Sequence, residues 1–315
     1  MKPTDRNKLP AGRTLIVAGP TAVGKSAFGL ETARRFGGEI ISADSRQIYT
    51  GLDIGTAKPT TSEQQAVPHH LVDVLDPDKD FGLANFLDRV GETLAEIGER
   101  DKLPVVVGGS SQYVFALMEG WSPPRVPPDP GLRAALDRRA EADGPGTLHA
   151  ELAEIDPEAA AQIDPRNLRR VIRALEVRAA SNKRRAPSAK RSAETTLVIG
   201  LTLPREELYR RIDARVDWMM EAGWLQEVEG LLERGYGPNL TAMSSIGYQE
   251  LTEHLSDGSD LVDAVQRIKY RTHRLARSQY VWLRRATWME WFEADEEGLR
   301  SAMGRVGEWL SYAGH

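Results

Sequence analysis

Thr14 to Ser26 reads TLIVAGPTAVGKS, and its last eight residues, Gly19, Pro20, Thr21, Ala22, Val23, Gly24, Lys25 and Ser26, fit the spacing G-x-x-x-x-G-K-[ST]. This Walker A pattern makes a phosphate cradle when a strand leads into it and a helix leaves it. The two glycines let backbone N–H groups turn inward around an anion, and the helix directs its partly positive N-terminus at the same place. Lys25 then reaches the terminal phosphoryl oxygens, and the Ser26 hydroxyl is placed to complete a Mg²⁺ shell. The motif does not say whose phosphates they are.

Asp44 follows the apolar run EIISA, residues 39 to 43. In a parallel sheet the end of that run shares an edge with the cradle, so Asp44 is a candidate base or metal carboxylate. An Asp in this position serves equally as the N-cap of a following helix. Lys58, in the glycine-bearing loop GLDIGTAKP (51 to 59), either reaches a phosphate or sits solvated on a surface turn, and the second is the commoner outcome. His69 and His70 are adjacent, so their side chains project differently, and no third ligand stands at metal-binding spacing. Arg211 and Arg215 lie one helical turn apart, which most often means surface ion pairs. Where many P-loop ATPases carry an Asp after a strand, Pro104 to Val107 runs into Gly108-Gly109-Ser110-Ser111-Gln112-Tyr113. The missing carboxylate counts against an ordinary ATP motor, and the glycine pair lets a substrate approach the backbone.

For these residues to meet, the chain must build a parallel sheet. Strand-like runs stand at 15–18, 39–43, 104–107, 196–203 and 288–292, with helical patterns at 26–36, 81–100, from Pro204 through Leu232, and from Leu261 to Arg285. Trp121 to Pro130 holds five prolines and can be neither helix interior nor central strand. From there to Ser192 the signals are helical, ending in the loose basic segment SNKRRAPSAKRS. The expected division is therefore a core in two parts, 1–120 and 193–315, interrupted by a helical insertion at 121–192.

The 315 residues suffice for one or two domains, and 41% hydrophobic with 28% charged residues reads as globular. Cysteine is absent, which excludes disulfides, thiolate metal sites and cysteine nucleophiles. Met1 to Gly12 lacks the apolar core of a signal peptide and no apolar run is long enough to span a membrane, so the expected location is cytoplasmic. The net charge of −5 hides two basic zones. Arg166 to Arg191 carries ten Lys or Arg against Glu176 alone, and Gln266 to Met289 carries seven and no acid. Such zones on an acidic protein suggest a docked polyanion.

As a set, the motifs resemble the bacterial tRNA dimethylallyltransferases, also called tRNA isopentenyltransferases. The resemblance is carried in order by GPTAVGKS (19–26), ISADSRQIYTGLDIGTAKP (41–59), HHLVD (69–73), VVVGGSSQY (105–113), RVIRALEV (170–177), LYRRIDARVDWMMEAGWLQEV (208–228), SSIGYQE (244–250) and THRLARSQYVWLR (272–284). Two positions depart from the family pattern: Ser111 stands where Gly is usual, and Ser278 where a cation is usual.

The resemblance implies an α/β fold, a P-loop-type parallel sheet flanked by helices with an inserted all-helical domain. It implies transfer of a dimethylallyl group from dimethylallyl diphosphate to N6 of the adenine at tRNA position 37, in tRNAs reading codons that begin with U. Mg²⁺ is the implied cofactor, and the partner is the anticodon stem-loop of tRNA, met by a monomer. By matching position, Asp44 is the general base, while Thr21 and Arg215 join the cradle in stabilising the departing diphosphate. The matching tRNA contacts are Asp44, Ser45, Arg46, Gln47, Ser110, Arg133, Arg169, Arg170, Arg173, Ser245, Ile246, Gly247, Tyr248, Gln249, Thr272, Arg274, Arg277 and Gln279. The rival readings are an adenylate isopentenyltransferase acting on a free nucleotide, a P-loop small-molecule kinase, and a non-catalytic RNA-binding protein.

Overall fold

The computed structural model describes residues 12–180, 190–192 and 194–312. The leader reading at Met1 to Ala11 and most of the basic segment, Ser181 to Ala189, lie outside the described residues. Contacts divide what is described into two compact units, one running to Gly120 and resuming at Lys190, the other spanning Trp121 to Ala180.

In the first unit, β1 (Thr14–Ala18) is buried at every position, as its apolar sequence requires of a strand covered on both faces. α1 (Lys25–Phe36) leaves the cradle with Gly24 as N-cap and ends at Gly37, at φ 106° and 66°. Both conformations are left-handed and suit glycine. β2 (Gly38–Ser42), α2 (Thr61–Ala66) and the two-residue β3 (His69–His70) follow. α3 (Leu83–Glu99) buries Phe86, Val90 and Ile97 along one side and leads to β4 (Leu103–Gly108) and α4 (Ser111–Glu119).

The second unit holds α5 (Pro130–Asp143), α6 (Pro145–Ile155), α7 (Pro157–Ala161) and α8 (Leu168–Ala180). Its own core gathers Leu136, Leu148, Leu152, Val171, Ile172 and Leu175. The buried Glu176 accepts the Asp129 N–H at 2.6 Å and two Arg133 bonds at 2.9 Å, and it also pairs with Arg173. Burial alone would raise this carboxyl, but those bonds hold it at about 2.

The chain then re-enters the first unit as β5 (Thr196–Thr202), α9 (Arg205–Glu221), α10 (Trp224–Glu233), α11 (Tyr248–Asp257), α12 (Leu261–Leu283), β6 (Glu290–Glu293) and α13 (Glu296–Ser311). The helix expected to run unbroken from Pro204 to Leu232 is two helices, because Gly223 takes φ 100° and turns the chain between α9 and α10. α2, β3 and α11 were not legible as elements. They are short, and β3 exists only through its pairing with β2.

All five strand pairings are parallel, in the order β3-β2-β4-β1-β5-β6. In register, Ala18 faces Gly108 on one side and Gly200 on the other, while Ser42 faces Val107. The cradle after β1, Asp44 after β2 and Gly109 after β4 therefore emerge at one sheet edge, where open α/β sheets bind ligands.

Candidate active site

The loop between β1 and α1 leaves the sheet under a steric constraint. A Cβ on Gly19, at φ 151°, would stand 2.6 Å from the Leu201 carbonyl oxygen. Lys25 folds back so that its Nζ donates to the Pro20 carbonyl at 2.6 Å. Gln279 of α12 closes the opposite side: its Oε1 accepts the Thr21 N–H at 2.9 Å, and its Nε2 donates to the Gly109 carbonyl at 2.7 Å. One side-chain amide thus ties the cradle to the end of β4.

Past β2, the Asp44 carboxylate accepts the Arg46 N–H at 2.8 Å. That bond makes a local turn, and no helix starts there for Asp44 to cap. The Ser110 hydroxyl accepts the Ser45 N–H at 3.3 Å, joining the turn after β2 to the turn after β4. Gln47 points inward, accepting from the Ser42 hydroxyl at 2.8 Å and donating to the Thr56 and Ala57 carbonyls at 3.2 and 3.1 Å.

α9 has three working stripes. Leu208, Ile212, Val216 and Met219 are buried. Tyr209, Asp213 and Asp217, four apart, face α12: Tyr209 stacks on His273 at 4.0 Å between ring centres, Asp213 meets His273 at 2.8 Å, and Asp217 meets Lys269 at 2.6 Å. Arg211, Arg215 and Trp218 form the third stripe and line a cavity of about 780 Å³. Thr21, Lys25, Ser26, Asp44 and Gln279 line the same cavity. Arg211 is an ion-pair partner as its spacing suggested, 2.7 Å from Glu207, whereas Arg215 is directed at the cradle.

These groups feel one another. Burial is the main cause that brings the Lys25 ammonium down to about 7; the Arg215 cation adds to it, and the Asp44 carboxylate opposes it. Arg215 is lowered by burial and supported by Asp44. The buried Tyr113 hydroxyl is pushed up, first by desolvation and then by Asp44. A cavity with two cations on one side and a carboxylate within their field can hold a multiply charged anion and take up a proton beside it.

The cavity is also lined by residues 53, 54, 56–61, 63 and 64. Lys58 is no solvated lysine: it is nearly fully buried, 2.6 Å from Asp53 and from the Tyr49 carbonyl, and it is paired with Asp73 as well. Glu227 of α10, which the sequence did not single out, accepts the N–H groups of Asp53, Ile54 and Gly55 at 2.8, 2.7 and 3.3 Å and the Tyr248 hydroxyl at 2.6 Å. His69 donates from Nδ1 to the Val67 carbonyl at 2.8 Å, and His70 lies 2.7 Å from Glu39, so both are held by protein groups.

Comparison with known proteins gives this cavity its context. The family model described as IPP transferase matches residues 47–286, and the model described as isopentenyl transferase matches 12–73. A tRNA dimethylallyltransferase of Thermomicrobium roseum is 49% identical over 286 residues, covering 90% of this chain and 87% of that protein. The chain belongs to the tRNA dimethylallyltransferase family. The solved tRNA isopentenylpyrophosphate transferase of Bacillus halodurans superposes with a TM-score of 0.71 at 36% identity, covering 95% of this chain and 97% of that one. A eukaryotic dimethylallyltransferase acting on tRNA superposes at 0.79 with 26% identity, over 96% of this chain and 80% of that one. The parallel sheet flanked by helices is thus the fold of the tRNA dimethylallyltransferases.

Membership in the tRNA dimethylallyltransferase family makes the placement of the expected RNA-contacting residues informative. Arg274 and Arg277 are exposed on α12, and Arg169 and Arg170 are exposed on α8. Others are bound by protein groups or are at least partly buried. Arg133 and Arg173 are bound to Glu176, and Arg173 also reaches the Val126 carbonyl at 2.7 Å. Tyr248 and Gly247 are buried, and the buried Ser245 donates to the Ala242 carbonyl at 2.6 Å. Arg46 donates to the Thr241 carbonyl. Ile246, Gln249 and Thr272 are half-buried, with Gln249 accepting from Arg271 at 3.0 Å. Among the described residues no helix is long and apolar enough to cross a membrane.

Proposed function

We propose that the chain transfers the dimethylallyl group of dimethylallyl diphosphate to N6 of the adenine at position 37, in the anticodon stem-loop of tRNAs reading codons that begin with U. The observation that carries this reading is the single cavity lined by Thr21, Lys25, Ser26, Asp44 and Arg215. The name of the eukaryotic relative, a dimethylallyltransferase acting on tRNA, supports the acceptor. Two basic zones, one on α8 and one on α12, supply cations for the phosphate backbone.

An exocyclic adenine amine is a weak nucleophile because its lone pair is delocalised into the ring. As the N6–C1 bond forms, the C1–O bond to diphosphate breaks and its electron pair leaves on the diphosphate oxygen. The N6 proton passes to Asp44, which acts as general base. Charge growing on the departing oxygens is met by the cradle N–H groups, by Lys25 and by Arg215, all fixed before the reaction. No ATP is consumed, which is consistent with a sheet edge that presents Gly108-Gly109 where ATPases carry a carboxylate.

The donor set suits Mg²⁺ carried by the substrate. Ser26 is exposed in the cavity, and no group of three or more carboxylate or histidine ligands exists among the described residues. Ser26 is the residue to hold the ion, with diphosphate oxygens and water completing the shell. When bound, Mg²⁺ neutralises diphosphate charge.

A base stacked in a loop must be splayed out to enter such a cavity. The test offers labelled dimethylallyl diphosphate with Mg²⁺ to the purified protein, with unmodified tRNA and with AMP in parallel. Label in tRNA that is lost in Asp44→Ala, by a factor on the order of 10² to 10⁴ with tRNA affinity retained, is the expected result. Label in AMP alone assigns the chain to the free-nucleotide enzymes, and ATP turnover without transfer assigns it to the kinases.

A further inference from the structure

Eight large hydrophobic side chains are exposed among the described residues: Val74, Ile155, Trp218, Val262, Tyr270, Leu275, Val281 and Tyr312. Two of the eight, Trp218 and Leu275, line the cavity that holds the cradle. Trp218 is 56% exposed, so its indole presents a large face that none of the described residues covers.

The position of Trp218 is fixed by its helix. It follows Arg211 by seven residues and Arg215 by three on the cavity stripe of α9, about one turn, roughly 5 Å, beyond the Arg215 cation. The neighbouring stripe is pinned to α12 by the Tyr209–His273 stack and the Asp213–His273 and Asp217–Lys269 pairs. The last of these is at the residue beside Trp218. The backbone under the indole is therefore held, and the ring needs little further ordering to receive a partner.

Two partners are chemically suited to an indole face here, the hydrocarbon of the donor and a base of the acceptor. The hydrocarbon already has an aliphatic lining: Leu30, Ile40 and Val107 line the cavity, and all three are buried. Trp218, by contrast, is open to water, and the exposed cations Arg274 and Arg277 stand on α12, the helix to which α9 is pinned. Exposed aromatics combined with exposed cations bind unpaired nucleic acid, stacking for the base and charge for its phosphate.

We propose that Trp218 is a stacking shelf for a splayed base of the RNA acceptor loop at the entrance to the cavity. The assignment rests on the reading of the chain as a tRNA-modifying transferase. Trp218 makes acceptor affinity and leaves the chemistry at Asp44 and the cradle unaltered.

The experiment compares wild type, Trp218→Phe and Trp218→Ala in two assays. The first measures anisotropy binding of a labelled anticodon stem-loop RNA without donor, at several salt concentrations. The second measures initial rates of prenyl transfer, varying tRNA and donor separately. Loss of one base stack is expected to weaken RNA binding and raise the KM for tRNA by roughly 5- to 100-fold in Trp218→Ala. Trp218→Phe should recover most of the loss, kcat and the donor KM should stay within about two-fold, and the slope of log affinity against log salt should not change, since no phosphate contact is removed. A raised donor KM with unchanged RNA affinity would place the indole against the hydrocarbon and overturn the proposal. Unchanged values in both assays would overturn it too, as would a reduced salt slope. RNA binding that depends on Trp218 in a protein that transfers no label to tRNA would defeat the proposed function while leaving the shelf intact. Circular dichroism melting of both variants checks that the fold survives.

Discussion

Thr21 of the cradle is held by Gln279, whose Oε1 accepts the Thr21 N–H at 2.9 Å while its Nε2 donates to the Gly109 carbonyl at 2.7 Å. The resemblance assigned Gln279 to RNA contact, and both ends of its amide are engaged with the cradle and the end of β4. A Cβ on Gly109 would stand 2.7 Å from that Nε2, so the clasp fits only over glycine. Gln279→Leu removes both bonds without adding bulk, and kcat is expected to fall by roughly ten- to a hundred-fold through misplacement of the cradle. Affinity for tRNA measured without donor should stay near wild type. Lost RNA affinity with unchanged kcat would return Gln279 to the RNA.

Arg215 is directed at the cradle from α9, and no aliphatic replacement can offer its guanidinium charge. Arg215→Ala is expected to lower kcat by roughly 10² to 10³, the size of one lost oxyanion contact. Arg211→Ala, which removes the partner of Glu207, should have a much smaller effect. Single-turnover rates at saturating tRNA distinguish these outcomes, and equal effects at the two positions would deny Arg215 a special role.

Lys25 sets a pH dependence. Burial first and Arg215 second bring its pKa from 10.5 down to about 7, so it is cationic below that pH and neutral above it. A bound diphosphate raises the pKa again, and binding above pH 7 therefore takes up a proton. Affinity for dimethylallyl diphosphate should weaken as pH rises from 7 to 9, approaching tenfold per pH unit for one linked proton. Calorimetry in buffers of different ionisation enthalpy reads the uptake. Lys25→Met should abolish it, and persistence of the uptake in that variant would place the proton elsewhere. For stability the sign is opposite: the cost of burying the cation is full below pH 7 and fades as pH rises toward 10.5, because the unfolded chain then holds a proton the folded one lacks.

Trp224 occupies the space that side chains at two glycines would need. A Cβ on Gly55 would lie 2.1 Å from its Nε1, and one on Gly247, at φ 92°, would lie 1.9 Å from its ring. Gly247→Ala should destabilise the fold by roughly 1–3 kcal/mol through overpacking, with the left-handed backbone adding to the loss. A lowered melting temperature is the expected reading. Unchanged melting would mean that Trp224 can move aside.

The cradle and the sheet edge were legible because their signals are local: a glycine-lysine spacing, apolar runs of strand length, and prolines that exclude regular structure from Trp121 to Pro130. Gln279 was legible only as a neighbour of arginines, since nothing local in Ala276-Arg277-Ser278-Gln279 points to a partner at Thr21. Glu227 looked like one more surface acid on a charged helix, and its four donors come from distant segments. Lys58 failed for the opposite reason. Composition predicts solvation for a loop lysine, and two aspartates overrule it. The break at Gly223 was hidden because apolar spacing continues across it, and a single glycine is tolerated in many helices.

The strand order has a consequence for how the protein is made. β1 emerges first from the ribosome, but of its two sheet neighbours β4 begins at Leu103 and β5 at Thr196, beyond the second unit. The clasp on Thr21 comes 258 residues after it. A growing chain thus exposes a glycine-rich loop and an unpaired apolar strand edge through most of its synthesis, and the loop gains its final fastening only when α12 has been translated. Partial products released before that point carry the whole phosphate motif without the side-chain bond from Gln279 that fastens it.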